Sequence, residues 1–439
     1  AMLLTLALLT LGGTAPSAAD TPPPTPRSSP LGSPLMPPDE VLQATLSQHP
    51  LWLARQARGD AERHRADMAR QGGAEWTPSF SLGQRSYHGT SAGEPRTREW
   101  SAELARGLRL PAKARADQTL ADSQIALSQA DTRLAWHELT LGLIQAHGSW
   151  LKALRQEAIW RAQADLADRQ WQASQRRLQL GDAARIEVTQ LAAQKAQAQA
   201  QLLAATQQRQ ALAAQLGSRY PAWPLQPTDA STAPGNAAKA SSFDLARQAM
   251  AGLPSPPQAG EPTRHPALLA SERAQALAGA LARQADAERV SDPIVGVQIA
   301  QDRSGSERLL ALTVSWPWGG EHRRLNAAAQ QQDAHAAARL ADDQRTRLLA
   351  DLRQAWQDTQ DTAARWALAH EAHTQLSQAA ASLEKGFRLG EGQLGELIQP
   401  QRLANEAALQ EAQAEVDTWL AIWRWQLESG QRWVAPEHD

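Results

Sequence analysis

Four short segments of the chain alternate between hydrophobic and polar residues, which is the pattern of β-strands whose two faces meet different surroundings. In the first segment, for example, Trp76, Phe80 and Leu82 alternate with serine and threonine. Glycine-containing polar turns separate the members of each pair, at 89–97 and 302–307. The pattern predicts two β-hairpins, with strands at about 76–88 and 98–110, and at about 292–301 and 307–316.

Much longer segments with helical spacing follow each strand pair. The first runs over about 112–178, which corresponds to roughly 100 Å of α-helix. Its leucines recur every seven residues at Leu120, Leu127, Leu134 and Leu141, with Ala130 and Ile144 beside them. This heptad spacing predicts a coiled-coil seam. His137 falls on the same seam, and we interpret it as a packed or hydrogen-bonded histidine.

The chain repeats itself once. Four landmarks recur in the same order, 206 to 216 residues apart: His49-Pro50 and His265-Pro266, Pro78 and Pro293, Pro111 and Pro317, and Leu180-Gly181 and Leu389-Gly390. A fixed order at nearly constant offset indicates an internal duplication. Each half reads as a helix, two strands, a very long helix, a glycine break and a return helix.

The duplication sets the expected domain boundaries. An apolar run at the start, followed by Ser17 and Ala19 at cleavage-site spacing, predicts a signal peptide whose start is altered. No later stretch approaches the roughly 18 apolar residues of a membrane helix. The expected order is signal peptide 1–19, proline-rich leader 20–38, first repeat 39–219 with a tip near 180–182, linker 220–264, second repeat 265–428 with a tip near 389–391, and C-terminal tail 429–439.

Composition excludes several kinds of function. Lysine and arginine total 44 against 46 acidic residues, so there is no basic excess to attract nucleic acid. The absence of cysteine excludes disulfides, thiolate metal sites, cysteine nucleophiles and a cysteine-linked lipid anchor. No glycine-rich phosphate loop, HExxH motif or EF-hand loop is present. We therefore expect neither an enzyme nor a bound cofactor.

One pair of histidines is a weak candidate metal site. His370 and His373 are three residues apart, so they share a helix face. No third ligand is obvious in the sequence, and we interpret the pair as part of a polar helix surface. The tryptophans of the long helices are interpreted as packing anchors rather than a ligand cage; they are Trp356, Trp366, Trp419, Trp423 and Trp425.

The four strands leave two architectures open. Four strands cannot close a barrel, and an open sheet in a membrane would leave unpaired backbone groups at its edges. If these strands cross a membrane, several chains must share one barrel, and three chains would supply twelve strands. The alternative is a soluble antiparallel sheet that caps a helical bundle. Periodicity alone does not separate the two.

The order of elements and the tip motif resemble the TolC-like outer-membrane efflux family over about 39–427. The family pattern has a hydrophobic residue and glycine at the tip, with an acidic residue six positions later. Here Leu180-Gly181 is followed by Glu187, and Leu389-Gly390 by Glu396. The segments "SDPIVGV" and "HPALL" are most similar to the heavy-metal, CzcC-like branch.

This resemblance implies a homotrimer with a periplasmic helical barrel and a shared twelve-stranded barrel in outer-membrane lipid. It implies docking of the tips to a periplasmic adaptor protein that serves an inner-membrane pump of the RND or another type. The tip residues would be Leu180, Gly181, Asp182, Leu389, Gly390 and Glu391. Glu187 and Glu396 would contribute to the gate, although Gln399 stands where better-known members have a second acidic residue.

The expected function is a passive exit duct of a tripartite efflux system in the outer membrane of a Gram-negative bacterium. Metal cations are the first expectation for the cargo. Alternatives are a multidrug duct, a type I secretion duct, and a soluble periplasmic coiled-coil scaffold. The apolar strand faces distinguish them, because a scaffold would not need such a face on all four strands.

Overall fold

The computed structural model describes residues 35–72, 75–86, 97–225, 236–257, 264–302, 305–389 and 394–436. The expected signal peptide and most of the leader lie outside these ranges. The described chain is mainly helical, with one small antiparallel sheet. Its elements are α1 (Asp39–Ser47), α2 (Pro50–Gln71), β1 (Trp76–Arg85), β2 (Thr97–Gly107), α3 (Pro111–Leu180), α4 (Arg185–Arg219), α5 (Asn236–Ala251), α6 (Pro266–Ala287), β3 (Ile294–Asp302), β4 (Glu307–Ser315), α7 (Glu321–Leu389) and α8 (Leu394–Glu428).

The duplication is visible in the helix lengths. Helices α2 and α6 both have 22 residues, and α4 and α8 both have 35. The long helices α3 and α7 have 70 and 69 residues, or about 105 Å each. The strand bounds differ from the expected spans by up to three residues. No helix in the described ranges is both long and apolar enough to cross a membrane.

The same local chemistry starts α2 and α6. Pro50 and Pro266 each occupy the first helical turn, where the missing N–H of proline costs nothing. The histidine before each proline accepts a hydrogen bond through Nδ1 from the backbone N–H two residues later, at 3.2 Å in both cases. The His-Pro landmark of the sequence is therefore a helix N-cap used twice.

The sheet has the strand order β1-β2-β3-β4, with every neighbouring pair antiparallel. The chain connects β2 to β3 through the whole of the first helical hairpin, so the two halves meet side by side in one sheet. Strands β1 and β4 are the two edges, and neither has a partner on its outer side within the described chain. The mainly helical fold with a small four-stranded sheet is the fold class expected from the sequence.

An ion network fixes the sheet to the helices. Arg109 follows β2 and contacts Asp117 at 2.8 Å and Asp292 at 3.0 Å, so it joins α3 to the segment before β3. The buried Lys113 contacts Asp292 and Glu288. Partial burial raises the pKa of Asp117. Its hydrogen bonds with Arg109 lower the pKa by more than burial raises it, so the net shift is downward. The Asp117 carboxylate therefore stays ionised at neutral pH.

The main hydrophobic core surrounds the middle of α3. Trp136, Leu143 and Trp150 of this helix pack there with the start of α2, the end of α4 and the second half of α8. Four of the five tryptophans interpreted as packing anchors are buried, and Trp356 packs at the edge of a second cluster. The interpretation as anchors is confirmed for these residues.

The heptad leucines of α3 do not form the centre of this core. Leu120, Leu127, Leu134 and Leu141 are all half-buried, whereas the fully buried positions include Leu139, Leu143 and Ile144. The physical reason is the number of neighbours. Helix α3 contacts α2, α4, α6 and α8, so its buried surface is wider than the narrow seam of a two-helix coiled coil. His137 is buried, in agreement with its interpretation.

Candidate docking tips and gate

The first tip is a tight turn between α3 and α4. Gly181 adopts φ +86°, a left-handed conformation that favours glycine, and ends α3. The backbone N–H of Asp182 donates to the carbonyl of Arg177 at 2.8 Å, which closes the turn. Leu180 projects its side chain into solvent and is 77% exposed. The turn thus presents one apolar side chain on a rigid backbone.

Arg177 holds this tip together. Its guanidinium donates to the Glu187 carboxylate at 3.2 Å and to the Asp182 carbonyl at 3.1 Å. The same guanidinium lies over the ring of Phe387, 5.4 Å from its centroid, so it also contacts the end of α7. One side chain therefore connects the end of α3, the start of α4 and the second helical hairpin.

The second tip is described only in part. Leu389 ends α7 and is 68% exposed, like Leu180. Gly390 and Glu391 lie outside the described residues. The position equivalent to Arg177 in this half is Gly386. The second hairpin therefore has no arginine at the place from which Arg177 clamps the first.

The two gate glutamates occupy equivalent places with different surroundings. Both lie in the first turn of the return helix, where a negative charge is favoured by the helix dipole. Glu187 is bound by Arg177, whereas Glu396 is exposed and pairs with no described residue. Gln399 is also exposed, one position before Pro400. Because proline has no N–H, the carbonyl of Glu396 lacks its usual helical partner.

The histidine pair on α7 has a partner that the sequence did not indicate. His370 Nδ1 and His373 Nδ1 lie 2.7 and 2.5 Å from separate oxygens of Glu411, a buried residue of α8. The neighbouring Glu371 instead accepts from Gln375 at the surface. Glu411 thus lies between the two imidazoles and joins α7 to α8. This arrangement explains the pair as an interhelical contact.

One face of the sheet is apolar in every strand. The register aligns Phe80, Ala102, Ile299 and Leu310 in one row across all four strands. The next row consists of Pro78, Leu104, Val297 and Leu312. The opposite face carries polar contacts, such as that between Thr313 Oγ1 and Glu103 at 2.7 Å. The apolar side chains of the edge strands are exposed, so the described chain does not cover this face.

Known structures share this architecture. No protein-family model and no curated protein sequence matches the chain. Among solved structures, the outer-membrane channel OprN superposes with a TM-score of 0.71 at 17% identity, covering 90% of each chain. The Campylobacter jejuni CmeC outer-membrane channel gives a TM-score of 0.72 at 11% identity, covering 89% of this chain and 85% of that one. The open state of the Neisseria gonorrhoeae MtrE outer-membrane channel gives 0.62 at 14% identity, covering 90% and 89%.

The chain has a TolC-like fold. These neighbours are described as channels and not as enzymes. At such low identities the similarity establishes the shared fold, and the heavy-metal branch stays a prediction. The roles of the tip and gate residues also stay predictions, because a shared backbone does not assign a function to a side chain.

Sequence reasoning missed two residues of this TolC-like molecule that matter at the tip. Arg177 precedes Glu187 by ten positions, which is no helix-face spacing, so no local pattern links them. Phe387 lies more than 200 residues further along the chain. The only available signal was that Arg177 lies three residues before the duplicated Leu-Gly motif in one half, whereas Gly386 takes this place in the other.

Proposed function

We propose that this chain is one subunit of a trimeric, passive exit duct in the outer membrane, serving a tripartite efflux system. The observation that carries the proposal is the pair of apolar rows in register across all four strands. Lipid-facing strands need such a face, and a soluble cap on a helical bundle does not. The exposed Trp316 and Trp318, just after β4, suit the interfacial belt of a membrane barrel.

The two free sheet edges support the trimer. A sheet inserted in lipid must have all of its backbone groups paired. Pairing β1 of one chain with β4 of the next would remove every edge, and three copies would give twelve strands. The resulting helical barrel would place both tips of each chain at its far end, because α3 and α7 extend about 105 Å from the sheet.

The tips are proposed as the adaptor-docking site, through Leu180, Gly181 and Asp182 in the first hairpin and Leu389, Gly390 and Glu391 in the second. Leu180 and Leu389 are both exposed, and Leu180 stands beside the Gly181 turn, which suits a small apolar contact with partner helices. Glu187, Glu396 and Gln399 are proposed to line or hold the gate. Three copies of Glu396, which pairs with no residue in the described ranges, would form a ring that attracts cations.

The cargo is proposed to be a heavy-metal cation. This proposal rests on the resemblance of two sequence segments to the heavy-metal branch. Multidrug and type I secretion ducts share the same architecture and are the alternatives. Deletion of the gene in its own host separates them. Sensitivity to metal salts alone supports the metal assignment, whereas sensitivity only to organic toxicants, or loss of a secreted protein, overturns it and leaves the duct proposal standing.

Adjacent leucines of β4 provide the test of the duct itself. Leu310 lies in the apolar row opposite Ile299, and Leu309 lies on the other face opposite Ala300. In a lipid-facing barrel, Leu310→Arg should cost about 2–4 kcal/mol and reduce assembly in the outer membrane. Leu309→Arg should leave assembly intact and change ion selectivity, measured as planar-bilayer conductance in asymmetric salt. Equal assembly of the two variants, or a wild-type protein that stays in the aqueous fraction, would refute the duct.

A further inference from the structure

Three buried titratable side chains meet beside the middle of α3, far from the tips. They are His137 of α3, His265 at the N-cap of α6, and Glu428, the last residue of α8. Glu428 Oε2 lies 2.8 Å from His265 Nε2 and 3.6 Å from His137 Nε2. One ligand atom from each of the three lies within 4.8 Å of the others, and each side chain is at most 10% exposed. The cluster is about 65 Å along α3 from the first tip.

The cluster contains a buried polar atom without a hydrogen-bond partner in the described part of the chain. His137 Nε2 is enclosed, and its 3.6 Å distance to Glu428 Oε2 is too long for a hydrogen bond. Its ring meets that of His265 edge to face, with centroids 4.8 Å apart. Buried polar atoms without a partner are rare, and one that is aimed at a carboxylate and a second imidazole indicates a missing ligand.

The internal duplication shows that the fold does not require this cluster. His49 is the equivalent N-cap in the first half, and it makes the same hydrogen bond as His265. Arg219, the last residue of α4, stands where α8 has Glu428. Burial lowers the pKa of His49, and the positive charge of Arg219 lowers it further. The place where the N-cap histidine meets the end of the return helix thus holds an arginine in the first half. In the second half it holds a glutamate and an extra histidine.

The charge and donor atoms of the His137, His265 and Glu428 cluster suit a metal cation. Glu428 offers one carboxylate oxygen, Oε2, to both imidazoles. Arg424 approaches the other oxygen, Oε1, at 3.7 Å, which leaves Oε2 to the histidines. Two imidazole nitrogens and one carboxylate oxygen are a donor set of zinc.

The distances between the three ligand atoms also fit a metal ion. Tetrahedral Zn²⁺ with bonds of about 2.0–2.1 Å separates its ligand atoms by roughly 3.4 Å. The two printed distances to Glu428 Oε2, 2.8 and 3.6 Å, lie on either side of that value. No large movement is needed to seat an ion between the three atoms.

We propose that His137, His265 and Glu428 form a structural binding site for a divalent transition-metal cation, preferentially Zn²⁺, with water as the fourth ligand. The ion binds Nε2 of both histidines and Oε2 of Glu428, and it joins α3, α6 and α8. When the ion binds, the proton that His265 Nε2 donates towards Glu428 moves to Nδ1 of the same ring, so the imidazole stays neutral and no proton is released. The N–H of Ala267 then loses its cap acceptor. The proposal is independent of transport and does not rest on the proposed function.

The test uses the full-length protein, purified in detergent and stripped with a chelator. Titration with Zn²⁺ against a chromophoric chelator should give one ion per chain with a dissociation constant below about 1 μM. His137→Gln and Glu428→Gln, which keep side-chain volume, should each weaken binding by at least about 100-fold. Co²⁺ in the same site should give the visible absorption of a tetrahedral complex, a readout that needs no variant.

Two control variants make the assignment specific. His49→Ala removes the matching N-cap of the first half without touching the cluster, and it should bind Zn²⁺ like the wild type. His370→Ala with His373→Ala removes the other histidine pair and should also leave binding unchanged. A stripped wild-type protein that takes up no ion in this range overturns the proposal. So does binding that disappears with either control, or an octahedral Co²⁺ spectrum.

Discussion

Gly148 marks a close approach of α3 and α8. A Cβ atom at this position would lie 2.4, 2.5 and 2.7 Å from three side-chain carbons of Leu420. Carbon atoms in ordinary contact are about 3.5–4.0 Å apart, so Gly148→Ala requires a movement of about 1 Å. Leu420 is half-buried and packs against the main core, so its movement disturbs that packing. The substitution therefore tests whether the glycine is required by packing.

The expected size of the effect follows from two opposing contributions. Alanine favours the helix over glycine by about 1 kcal/mol. Overpacking of a core costs about 1–3 kcal/mol, and three simultaneous overlaps place this site at the upper end. The net destabilisation is about 2 kcal/mol. For a chain of 439 residues, the unfolding entropy makes this a decrease of about 2 °C in unfolding temperature, measurable by circular dichroism at 222 nm in detergent.

Two further variants separate packing from helix propensity. Gly279→Ala in α6 meets only the end of Arg283, at 3.7 Å, so it should raise the unfolding temperature slightly. Adding Leu420→Ala to Gly148→Ala removes the clash, so the double variant should be more stable than the sum of the single effects by about 1–2 kcal/mol. Two results would contradict tight packing of Gly148 against Leu420. One is that Gly148→Ala stabilises the protein as Gly279→Ala does, and the other is that the stability changes of Gly148→Ala and Leu420→Ala simply add.

Four other outcomes are expected. Gly181→Val meets no atom within 4 Å but strains a left-handed turn, so efflux should be lost while trimers still form; normal efflux would count against docking at the tip. Arg177→Ala should raise the resting conductance, whereas the exposed neighbour Arg176→Ala should not. Glu396→Ala should reduce cation selectivity, and unchanged selectivity removes it from the pore. Burial lowers the pKa of His147 to about 4, so between pH 6.5 and 4 only the unfolded chain gains this proton. Up to about 3 kcal/mol of stability is then lost on acidification, and His147→Gln should flatten the pH dependence of the unfolding temperature.

The sequence was informative where a structural feature depends on residues close together in the chain. Alternation over two residues located all four strands, because each strand has one apolar face. The glycine of the first tip was visible because Gly181 needs a positive φ, which few other residues adopt. The His-Pro pair marked two helix starts because capping is local in sequence. In each case, the physical cause lies within a few residues of the signal.

The sequence was uninformative where contacts join distant segments. Arg177 and Phe387 are brought together by the packing of two hairpins, and His137 and Glu428 are 291 residues apart. The heptad leucines of α3 misled for the same reason. A seven-residue spacing predicts one partner helix, whereas this helix contacts α1, α2, α4, α6 and α8, so its buried surface is much wider than one seam. Tertiary neighbours cannot be counted from the pattern of one helix.

The two halves of the chain differ in single side chains on nearly the same backbone. The first hairpin carries Arg177, which binds Glu187, while the second has Gly386 at the equivalent place and leaves Glu396 unpaired among the described residues. The second return helix also contains Pro400, which removes one backbone hydrogen bond next to its first turn, where the first half has Leu191. The lack of an ion pair on Glu396 among the described residues, together with one lost helical hydrogen bond, lowers the free energy needed to open the second hairpin locally. A gate that moves one hairpin more than the other therefore needs no difference in architecture, only these substitutions after the duplication.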